Sequence, residues 1–281
     1  MNCIQILNKS QKELKKFNIK NVELDCEILL SNVLKVTREN LLINLNKKLE
    51  KKEKIFFFKY VERRKKKEPI AYIIGYKDFW KKRFYVNKKV LIPRPDTEVL
   101  VEEALKFIPS NKSQRIMDVG TGSGCILLSI LLERKKCFGV GIDVSKEAIH
   151  IAKYNAKIQQ LENRLKFFNA NIDNICTGKY DFIVSNPPYI NKNRIKYLEE
   201  DVRLFEPCLA LDGGMHGTSV TEKLIRKSSK LLKKNGKMII EIQSESVNRI
   251  KNMLIRNNFF INNISRDLSN KIRCIVSTNL G

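Results

Sequence analysis

The sequence has little of the chemistry that metal centres and disulfide frameworks require. It contains two histidines, His150 and His216, and no His-Glu-x-x-His pattern, so no metal centre is expected. Its seven cysteines are an odd set without Cys-x-x-Cys spacing, which argues against both a disulfide framework and a structural zinc site. The longest apolar run, CILLSILL at 125–132, is far too short to cross a bilayer, and the start MNCIQILNKS lacks the pattern of a signal peptide. We therefore expect a soluble, cytoplasmic protein.

The sequence is not short of positive charge. Its formal net charge is +24, from 54 basic and 30 acidic residues, and basic surfaces concentrate phosphate-bearing partners. Lysine, asparagine and isoleucine are abundant throughout, however, so part of this charge reflects a general residue bias. The densest basic run, RRKKKE at 63–68, is more typical of a solvated helix end than of a binding site. The charge indicates that the protein works near polyanions such as nucleic acid, but it does not identify the substrate.

The pattern of apolar residues predicts three segments within the 281 residues. Residues 1–70 show helical spacing between lysine-rich faces and contain no glycine, since the first glycine is Gly75, so they predict a small helical domain. Residues 71–95 are aromatic and β-branched, which predicts a strand or hairpin connector. Residues 96–281 alternate strand and helix patterns, which predicts an α/β domain with a parallel sheet and helices on both faces. We expect its ligand at the carboxyl ends of the early strands, where the strand order reverses.

A glycine-rich turn follows the first strand of the α/β domain. DVGTGSG, at 118–124, supplies glycines that let the backbone turn sharply against a ligand, before a helix whose first N–H groups are unpaired. Cys125 stands where the dinucleotide fingerprint has its third glycine, which counts against a bound pyrophosphate. Asp143 ends the second strand, from where a carboxylate can accept both ribose hydroxyls; it could also cap the next helix. The pattern favours a cofactor that contains adenosine.

A later strand pattern ends at Asn-Pro-Pro-Tyr, residues 186–189. Proline fixes its own φ angle, lacks an N–H donor and restricts the residue before it, so the strand must stop there. Asn-Pro is also an ordinary turn dipeptide. The tetrapeptide alone therefore leaves open a simple strand end and a functional loop.

Taken together, these motifs resemble a known family. DVGTGSG, Asp143 and Asn-Pro-Pro-Tyr resemble class I methyltransferases that use S-adenosylmethionine, whose fold is Rossmann-like. The Asn-Pro-Pro-Tyr variant resembles enzymes that methylate nitrogen attached to a planar system. The segments PIAYIIGYKDFW, LIPRPDTE and DVRLFEPCLALDGG resemble the PrmC/HemK family of peptide chain release factor glutamine methyltransferases. This similarity runs from about Glu68 to the end, and the helical N-terminal segment matches the layout of the family.

The resemblance implies methyl transfer from S-adenosylmethionine to the side-chain amide of the glutamine in the Gly-Gly-Gln motif of class-one release factors, with S-adenosylhomocysteine as product and no metal. The implied catalytic residues are Asn186, Pro187 and Tyr189: Asn186 and the Pro187 carbonyl would accept the two amide hydrogens, and Tyr189 would lie flat on the amide. Substrate binding is assigned to Asn186, Pro187, Pro188, Tyr189 and Arg94. Cofactor binding is assigned to Gly120, Thr121, Gly122, Ser123, Gly124, Asp143, Asn171, Ile172 and Asn186.

Some implied roles have a structural alternative. Arg94, Pro95 and Thr97 match a family signature, but Pro95 followed by acidic residues also makes a good helix start. The segment from Glu206 to Gly214 matches a family loop near the target, although a glycine pair is often only a turn.

Several positions depart from the family pattern: Asn171 stands where an aspartate commonly meets adenine, His216 replaces an acidic residue, Gln243 replaces a glycine, and SNKIR at 269–273 lacks the usual glycine and aspartate before Arg273. We expect these departures to alter cofactor affinity or loop packing rather than to abolish activity.

Other functions remain open from the sequence. One is a DNA or rRNA amino methyltransferase, which the tetrapeptide and the charge favour, although an enzyme that acts on duplex DNA must extract its base. Another is the sister enzyme that methylates a glutamine of a large-subunit ribosomal protein, and a third is a cofactor-binding protein without catalysis. We expect a monomer that meets release factors transiently, without a membrane and without a requirement for direct nucleic-acid binding.

Overall fold

The computed structural model describes residues 1–281 and divides the chain into two compact units. Unit 1 comprises Met1–Tyr76 with Glu199–Phe205, and unit 2 comprises Lys77–Leu198 with Glu206–Gly281. The helices are α1 (Cys3–Lys15), α2 (Val22–Leu34), α3 (Arg38–Ile43), α4 (Lys51–Lys65), α5 (Ile70–Ile74), α6 (Glu98–Phe107), α7 (Cys125–Glu133), α8 (Lys146–Ile158), α9 (Glu200–Phe205), α10 (Ser219–Leu231) and α11 (Val247–Arg256). The strands are β1 (Tyr76–Phe79), β2 (Lys82–Tyr85), β3 (Arg115–Val119), β4 (Phe138–Asp143), β5 (Leu165–Asn169), β6 (Tyr180–Ser185), β7 (Leu232–Glu241), β8 (Phe259–Arg266) and β9 (Ile272–Asn279). None of these helices has the length and the apolar character that crossing a membrane requires.

Unit 1 is a helical bundle with its own apolar core. Leu14 of α1, Leu29 of α2 and Phe57 of α4 are fully buried in this core. They belong to the apolar faces of their amphipathic helices. The chain remains helical beyond the expected boundary, since α5 lies in the segment for which the sequence predicted a strand or hairpin. The hairpin itself, β1 and β2, follows directly, and residues 199–205 group with unit 1 although they come from the later α/β segment.

The basic run at 63–68 is partly internal. Arg64 is buried and donates a hydrogen bond of 2.7 Å to Asp25, while Arg63 makes two hydrogen bonds to the Glu68 carboxylate. Burial raises the pKa of Asp25, and the Arg64 guanidinium acts against that shift. Two of the five cations in this run therefore hold unit 1 together and are not free for an external polyanion.

Unit 2 is built on a seven-stranded sheet in the order β5-β4-β3-β6-β7-β9-β8. Strands β3 to β7 pair in parallel, as the alternating pattern predicted. Strand β9 runs antiparallel to β8 because the connection between them, 267–271, is too short for a parallel crossover, and it also runs antiparallel to β7. Helices α6, α7 and α8 pack on one face and α10 and α11 on the other, so the expected α/β fold with helices on both faces is confirmed.

The strand order reverses beside β3. The chain passes from β3 outward to β4 and β5 and then returns to β6 on the other side of β3. Asp118 of β3 lies in register with Val184 of β6, so the turn at Gly120 and the loop at Asn186 leave the same edge of the sheet next to each other. The topology thus brings together two motifs that are about 65 residues apart in sequence, at the position where open α/β sheets bind ligands.

Candidate active site

A cavity of about 550 Å³ opens at the carboxyl ends of β3, β4 and β6. Its size is within the range of sites for small molecules and cofactors. Residues of the glycine turn, the strand ends and the later loops line it: Lys88, Lys89, Val90, Leu91, Val119, Gly120, Gly122, Ile142, Asp143, Val144, Ser145, Glu147, Ala148, Ala170, Asn171, Ile172, Ser185, Asn186, Pro187, Pro188, Pro207, Leu209, Ala210, Asp212, Val220, Lys223 and Leu224. The cavity therefore contains members of both sequence motifs.

The glycine turn divides into residues that line the cavity and residues that support it. Gly120 and Gly122 line it, and Gly122 adopts φ +55° in the left-handed region that favours glycine. Thr121 is buried and its hydroxyl donates a hydrogen bond of 2.7 Å to Asp118. Ser123 accepts a hydrogen bond of 2.8 Å at its main-chain carbonyl from the Asn155 side chain, and Gly124 caps the start of α7. Only two of the five predicted turn residues thus face the cavity.

Asp143 lies on the cavity wall with its carboxylate held by the backbone. Its Oδ2 accepts the Gly122 N–H at 2.9 Å, and its Oδ1 accepts the Ser145 N–H at 2.9 Å. Burial raises its pKa, and these N–H donors act in the opposite direction. Ser145, not Asp143, caps α8, since the Ser145 hydroxyl accepts the Ala148 N–H at 3.1 Å. The cap role considered for Asp143 from the sequence therefore belongs to its neighbour.

Asn171 and Ile172 follow β5 and form another part of the cavity wall. The Asn171 side-chain oxygen accepts the Asp173 N–H at 3.0 Å. That bond uses one of the two acceptor positions on the oxygen, so the second remains for a ligand.

The Asn-Pro-Pro-Tyr segment leaves β6 at the cavity. Asn186, Pro187 and Pro188 line it, and the Asn186 side-chain nitrogen donates a hydrogen bond of 3.2 Å to the Thr97 hydroxyl. Tyr189 is not among the lining residues. It is partly buried beside Glu241, and burial raises the pKa of its hydroxyl to about 12. The three residues at the start of the segment therefore reach the cavity, while the tyrosine packs beside it.

Arg94 pairs with a loop residue and does not line the cavity. Its guanidinium donates a hydrogen bond of 2.5 Å to Oε1 of Glu206, whose Oε2 accepts the Ile92 N–H at 3.3 Å. Glu206 is 6% exposed and precedes Pro207, which does line the cavity. The two family-like segments around Arg94 and Glu206 are thus joined directly, and Arg94 holds one wall in place.

Two buried carboxyl groups at this edge of the sheet carry no role in the sequence interpretation. The Asp118 side chain lies beneath the glycine turn, and burial raises its pKa to about 7. Its Oδ1 has no hydrogen-bond partner. Glu241 ends β7, and burial raises its pKa to about 7 as well. An acidic residue at the end of the apolar strand GKMIIEI was the available signal for Glu241, because charged groups are rarely buried without a reason.

The site suits a cofactor that contains adenosine. Gly122 leaves open space where a side chain would project, since the nearest atom to an added Cβ is the Gly120 carbonyl oxygen at 3.9 Å. Asp143 presents an oriented carboxylate to the same space, and apolar side chains such as Ile142 and Leu224 complete the wall. The residues present therefore fit S-adenosylmethionine.

Comparisons with known proteins identify relatives of both parts of the chain. The profile of the PrmC N-terminal domain matches residues 5–75, and that of the methyltransferase small domain matches residues 96–202. A release factor glutamine methyltransferase of Clostridium acetobutylicum is 38% identical over 278 residues, which cover 98% of this chain and 98% of that protein. One from Caulobacter vibrioides is 38% identical over 242 residues, covering 85% of this chain and 84% of that protein.

Other matches differ in length or show only the fold. A bifunctional methyltransferase of Rickettsia bellii is 35% identical over 96% of this chain, but the matched part is only 54% of that protein, so the chain spans about half the length of this relative. A solved methyltransferase from Pyrococcus furiosus superposes with a TM-score of 0.53 at 18% identity, covering 70% of this chain and 88% of that one. A solved ribosomal protein L11 methylase from Lactobacillus delbrueckii subsp. bulgaricus gives a TM-score of 0.51 at 20% identity, covering 66% and 80%.

The family resemblance stated from the motifs is confirmed by relatives that match over nearly their whole length, and the Rossmann-like methyltransferase fold by the solved structures. The chain belongs to the release factor glutamine methyltransferase family and is an S-adenosylmethionine-dependent methyltransferase.

Proposed function

We propose that the protein transfers a methyl group from S-adenosylmethionine to the side-chain amide nitrogen of the glutamine in the Gly-Gly-Gln motif of class-one release factors. The observation that carries this proposal is the position of Asn186 and Pro187 on the wall of the cavity that also contains Gly122 and Asp143. The names of the relatives that match over nearly their full length supply the protein substrate.

We assign the cofactor to the glycine turn and the ends of β4 and β5. The backbone at Gly120 and Gly122 allows close approach, the Asp143 carboxylate accepts hydrogen bonds from ribose hydroxyls, and Asn171 and Ile172 bound the adenine. When bound, S-adenosylmethionine supplies an electrophilic methyl group on a sulfonium centre. Thr121, Ser123 and Gly124 act on it indirectly, through the shape of the turn.

We assign the target amide to Asn186 and Pro187. An amide nitrogen is a poor nucleophile because its lone pair is delocalised, so the site must aim that lone pair. The Asn186 nitrogen is engaged by Thr97, which leaves the side-chain oxygen of Asn186 to accept one hydrogen of the target NH₂. The Pro187 carbonyl accepts the other, since the proline has no N–H and stands outside the sheet ladder.

Positioning supplies most of the rate enhancement in this mechanism. Well-oriented reactants gain roughly 7–11 kcal/mol over free encounter. Two fixed acceptors also stabilise the positive charge that develops on nitrogen as the methyl group arrives. Pro188 stiffens the segment and Tyr189, packed beside Glu241, limits its movement. The proton on nitrogen leaves to solvent after transfer.

We further propose that residues 1–70 recognise the release factor and that the enzyme acts as a cytoplasmic monomer. The internal use of Arg63 and Arg64 weakens the case for nucleic acid as the substrate, because the densest basic run has fewer free cations than its sequence suggests.

The test is incubation with labelled S-adenosylmethionine and, separately, purified class-one release factor, large-subunit ribosomal protein and RNA or DNA. Label in the release factor, lost when its Gly-Gly-Gln glutamine is replaced, is the expected result. Label confined to ribosomal protein or nucleic acid would overturn the proposal. An Asn186→Ala variant should bind cofactor normally and transfer about 100- to 1,000-fold more slowly, as expected when a transition-state contact is lost.

A further inference from the structure

Glu241 is a buried carboxyl group beside the transfer site. It is the last residue of β7, where Ile240 pairs with Ser185 of the parallel neighbour β6. Glu241 therefore stands level with Asn186, the residue that follows Ser185. Its side chain is almost fully buried, at 2% exposure, and Oε2 has no hydrogen-bond partner. A carboxyl group that only filled space would be a costly choice here, because an apolar side chain of the same size avoids the desolvation penalty.

The surroundings connect Glu241 to the Asn-Pro-Pro-Tyr segment at both ends. The hydroxyl groups of Thr97 and Tyr189 are close enough to Glu241 to stabilise its carboxylate, and both lower its pKa against the larger effect of burial. The Thr97 hydroxyl oxygen also accepts the Asn186 side-chain N–H at 3.2 Å. A hydroxyl has one proton to donate, so when Thr97 donates to Glu241 its oxygen is left to accept from Asn186.

This direction of hydrogen bonding decides which way the Asn186 amide points. With the NH₂ group of Asn186 on Thr97, its oxygen is the end available to substrate. A protonated Glu241 could instead donate to Thr97, which would free the Thr97 proton to compete for the Asn186 oxygen. The carboxylate form of Glu241 thus favours the amide orientation that the proposed function requires.

We propose that Glu241 is a positioning residue for methyl transfer, which through Thr97 fixes the Asn186 amide with its oxygen toward the substrate and through Tyr189 holds the end of the same segment. This inference rests on the proposed function for its catalytic meaning, while the orientation of Asn186 is a property of the protein alone. Glu241 does not line the cavity, so its proposed role is positioning and not catalytic contact.

Other charged groups face Glu241 and set its charge state. Arg273 lowers its pKa and Asp96 raises it, and these two residues form an ion pair of 2.5 Å. The thiols of Cys125 and Cys274 lie close enough for Glu241 to raise their pKa values, and burial keeps both of them protonated. Burial of Glu241 is the largest effect and raises its pKa to about 7, so its charge changes within the working range of pH.

The first experiment uses the protein without substrate. The side-chain NH₂ signals of Asn186 are identified in ¹⁵N-labelled protein by their absence in Asn186→Ala and are followed between about pH 5.5 and pH 8.5, across the pKa of Glu241. They should titrate in the wild type and stop titrating in Glu241→Gln and in Thr97→Val, which remove the carboxylate and the hydroxyl at nearly constant volume. Glu103→Gln is the matched control, because Glu103 is also 2% exposed but bonds to Lys106 and Asn263, away from Asn186. Titration that persists in Glu241→Gln overturns the inference.

The second experiment measures transfer to release factor. Glu241→Gln should lower kcat about tenfold or more and remove the acid limb of its pH profile, while the cofactor Kd and the substrate KM change less than about threefold. Equal loss of kcat at every pH would indicate general damage and overturn the inference, as would an unchanged kcat. Failure of the wild type to methylate release factor would overturn the proposed function, and the signals of Asn186 would then decide the role of Glu241 independently.

Discussion

The main-chain N–H of Gly122 donates a hydrogen bond of 2.9 Å to Oδ2 of Asp143, and this bond joins the turn after β3 to the end of β4. The other carboxylate oxygen accepts the Ser145 N–H, so the backbone fixes both oxygens before any ligand arrives. Each oxygen keeps a further acceptor position toward the cavity. One side chain thereby shapes the glycine turn and presents a charged acceptor pair to the cofactor.

Asp143→Asn should weaken cofactor binding. Its NH₂ group cannot accept either backbone N–H, and the charge that strengthens these bonds is lost. Hydrogen bonds to charged groups contribute about 1.5–3 kcal/mol, so the Kd for S-adenosylhomocysteine should rise about 10- to 100-fold in calorimetry. Asp181→Asn is the control, because Asp181 lies at the start of β6, on the opposite edge of the sheet. An unchanged Kd in Asp143→Asn would remove Asp143 from the cofactor site.

Gly217→Ala should damage the transfer site without loss of the cofactor site. Gly217 has φ +68°, and an added Cβ would lie 2.4 Å from the main-chain oxygen of Tyr189, an atom that cannot move as a side chain can. The Asn-Pro-Pro-Tyr segment must then shift. We expect kcat for release factor to fall about 100-fold, in line with the cost of small misplacement, while cofactor affinity stays within about threefold.

Gly178→Ala provides the comparison for Gly217→Ala. Gly178 also has a positive φ, at +119°, but an added Cβ there would meet the Tyr180 ring and not the Asn-Pro-Pro-Tyr segment. Both variants carry backbone strain, so both should lose some thermal stability. Only Gly217→Ala should separate transfer from cofactor binding, and equal kcat values in the two variants would contradict the assignment.

Arg94 and Glu206 should show coupled effects on stability. Arg94→Met removes the cation from beside the buried Glu206 carboxylate, and we expect unfolding to become easier by about 1–3 kcal/mol, less than for a fully buried pair because Arg94 is partly exposed. In the double variant Arg94→Met, Glu206→Gln the buried charge is gone as well. Most of the stability should return, as measured by denaturant unfolding.

Activity of the same double variant distinguishes the two roles considered for Arg94. If Arg94 only holds the wall around Pro207, kcat/KM should recover to within about tenfold of the wild type. This recovery is the expected result, because Arg94 does not line the cavity. A stable double variant that remains inactive would show that Arg94 contacts the substrate directly, as the family resemblance implies.

The sequence predicts site residues best where they directly follow a strand. Gly122, Asp143 and Asn186 each follow a strand, and the carboxyl ends of neighbouring parallel strands meet at one edge of a sheet. Position in the sequence does not separate these residues from Thr121 and Ser123, which lie beside them in the same motif. Thr121 and Ser123 are buried, and Thr121 bonds to Asp118 beneath the turn.

Contacts between distant residues could not be predicted in this way. The pairing of Arg64 with Asp25 joins positions 39 residues apart, and the bond from Asn186 to Thr97 spans 89. Both depend on how side chains meet after the helices and strands have packed, and periodicity carries no information on that. The direction of β9 depends instead on a local connection, whose length marks the hairpin.

Asp118 should make the protein less stable as pH rises. It is fully buried, its Oδ2 accepts the Thr121 hydroxyl at 2.7 Å, and burial raises its pKa from 3.8 to about 7. The folded state therefore binds a proton that the unfolded state has released between about pH 4 and pH 7. Stability from this group is present below the unfolded pKa and is lost as pH rises through the folded pKa. Asp118→Asn keeps an acceptor for Thr121 and removes the titration.

The measurement for Asp118 is urea unfolding of both proteins at about pH 5.5 and at about pH 8. The stability of Asp118→Asn relative to the wild type should increase by about 2 kcal/mol between these values, since one pKa unit corresponds to about 1.4 kcal/mol. Glu241→Gln should change in the same direction, because the pKa of Glu241 is also raised to about 7. Burial acts to raise the Glu103 pKa, but hydrogen bonds from Lys106 and Asn263 leave it lowered. Glu103→Gln should therefore destabilise the protein at pH 8, because it removes a carboxylate that the folded state stabilises. A constant difference between Asp118→Asn and the wild type at both pH values would mean that folded Asp118 is charged throughout this range, which would contradict the raised pKa.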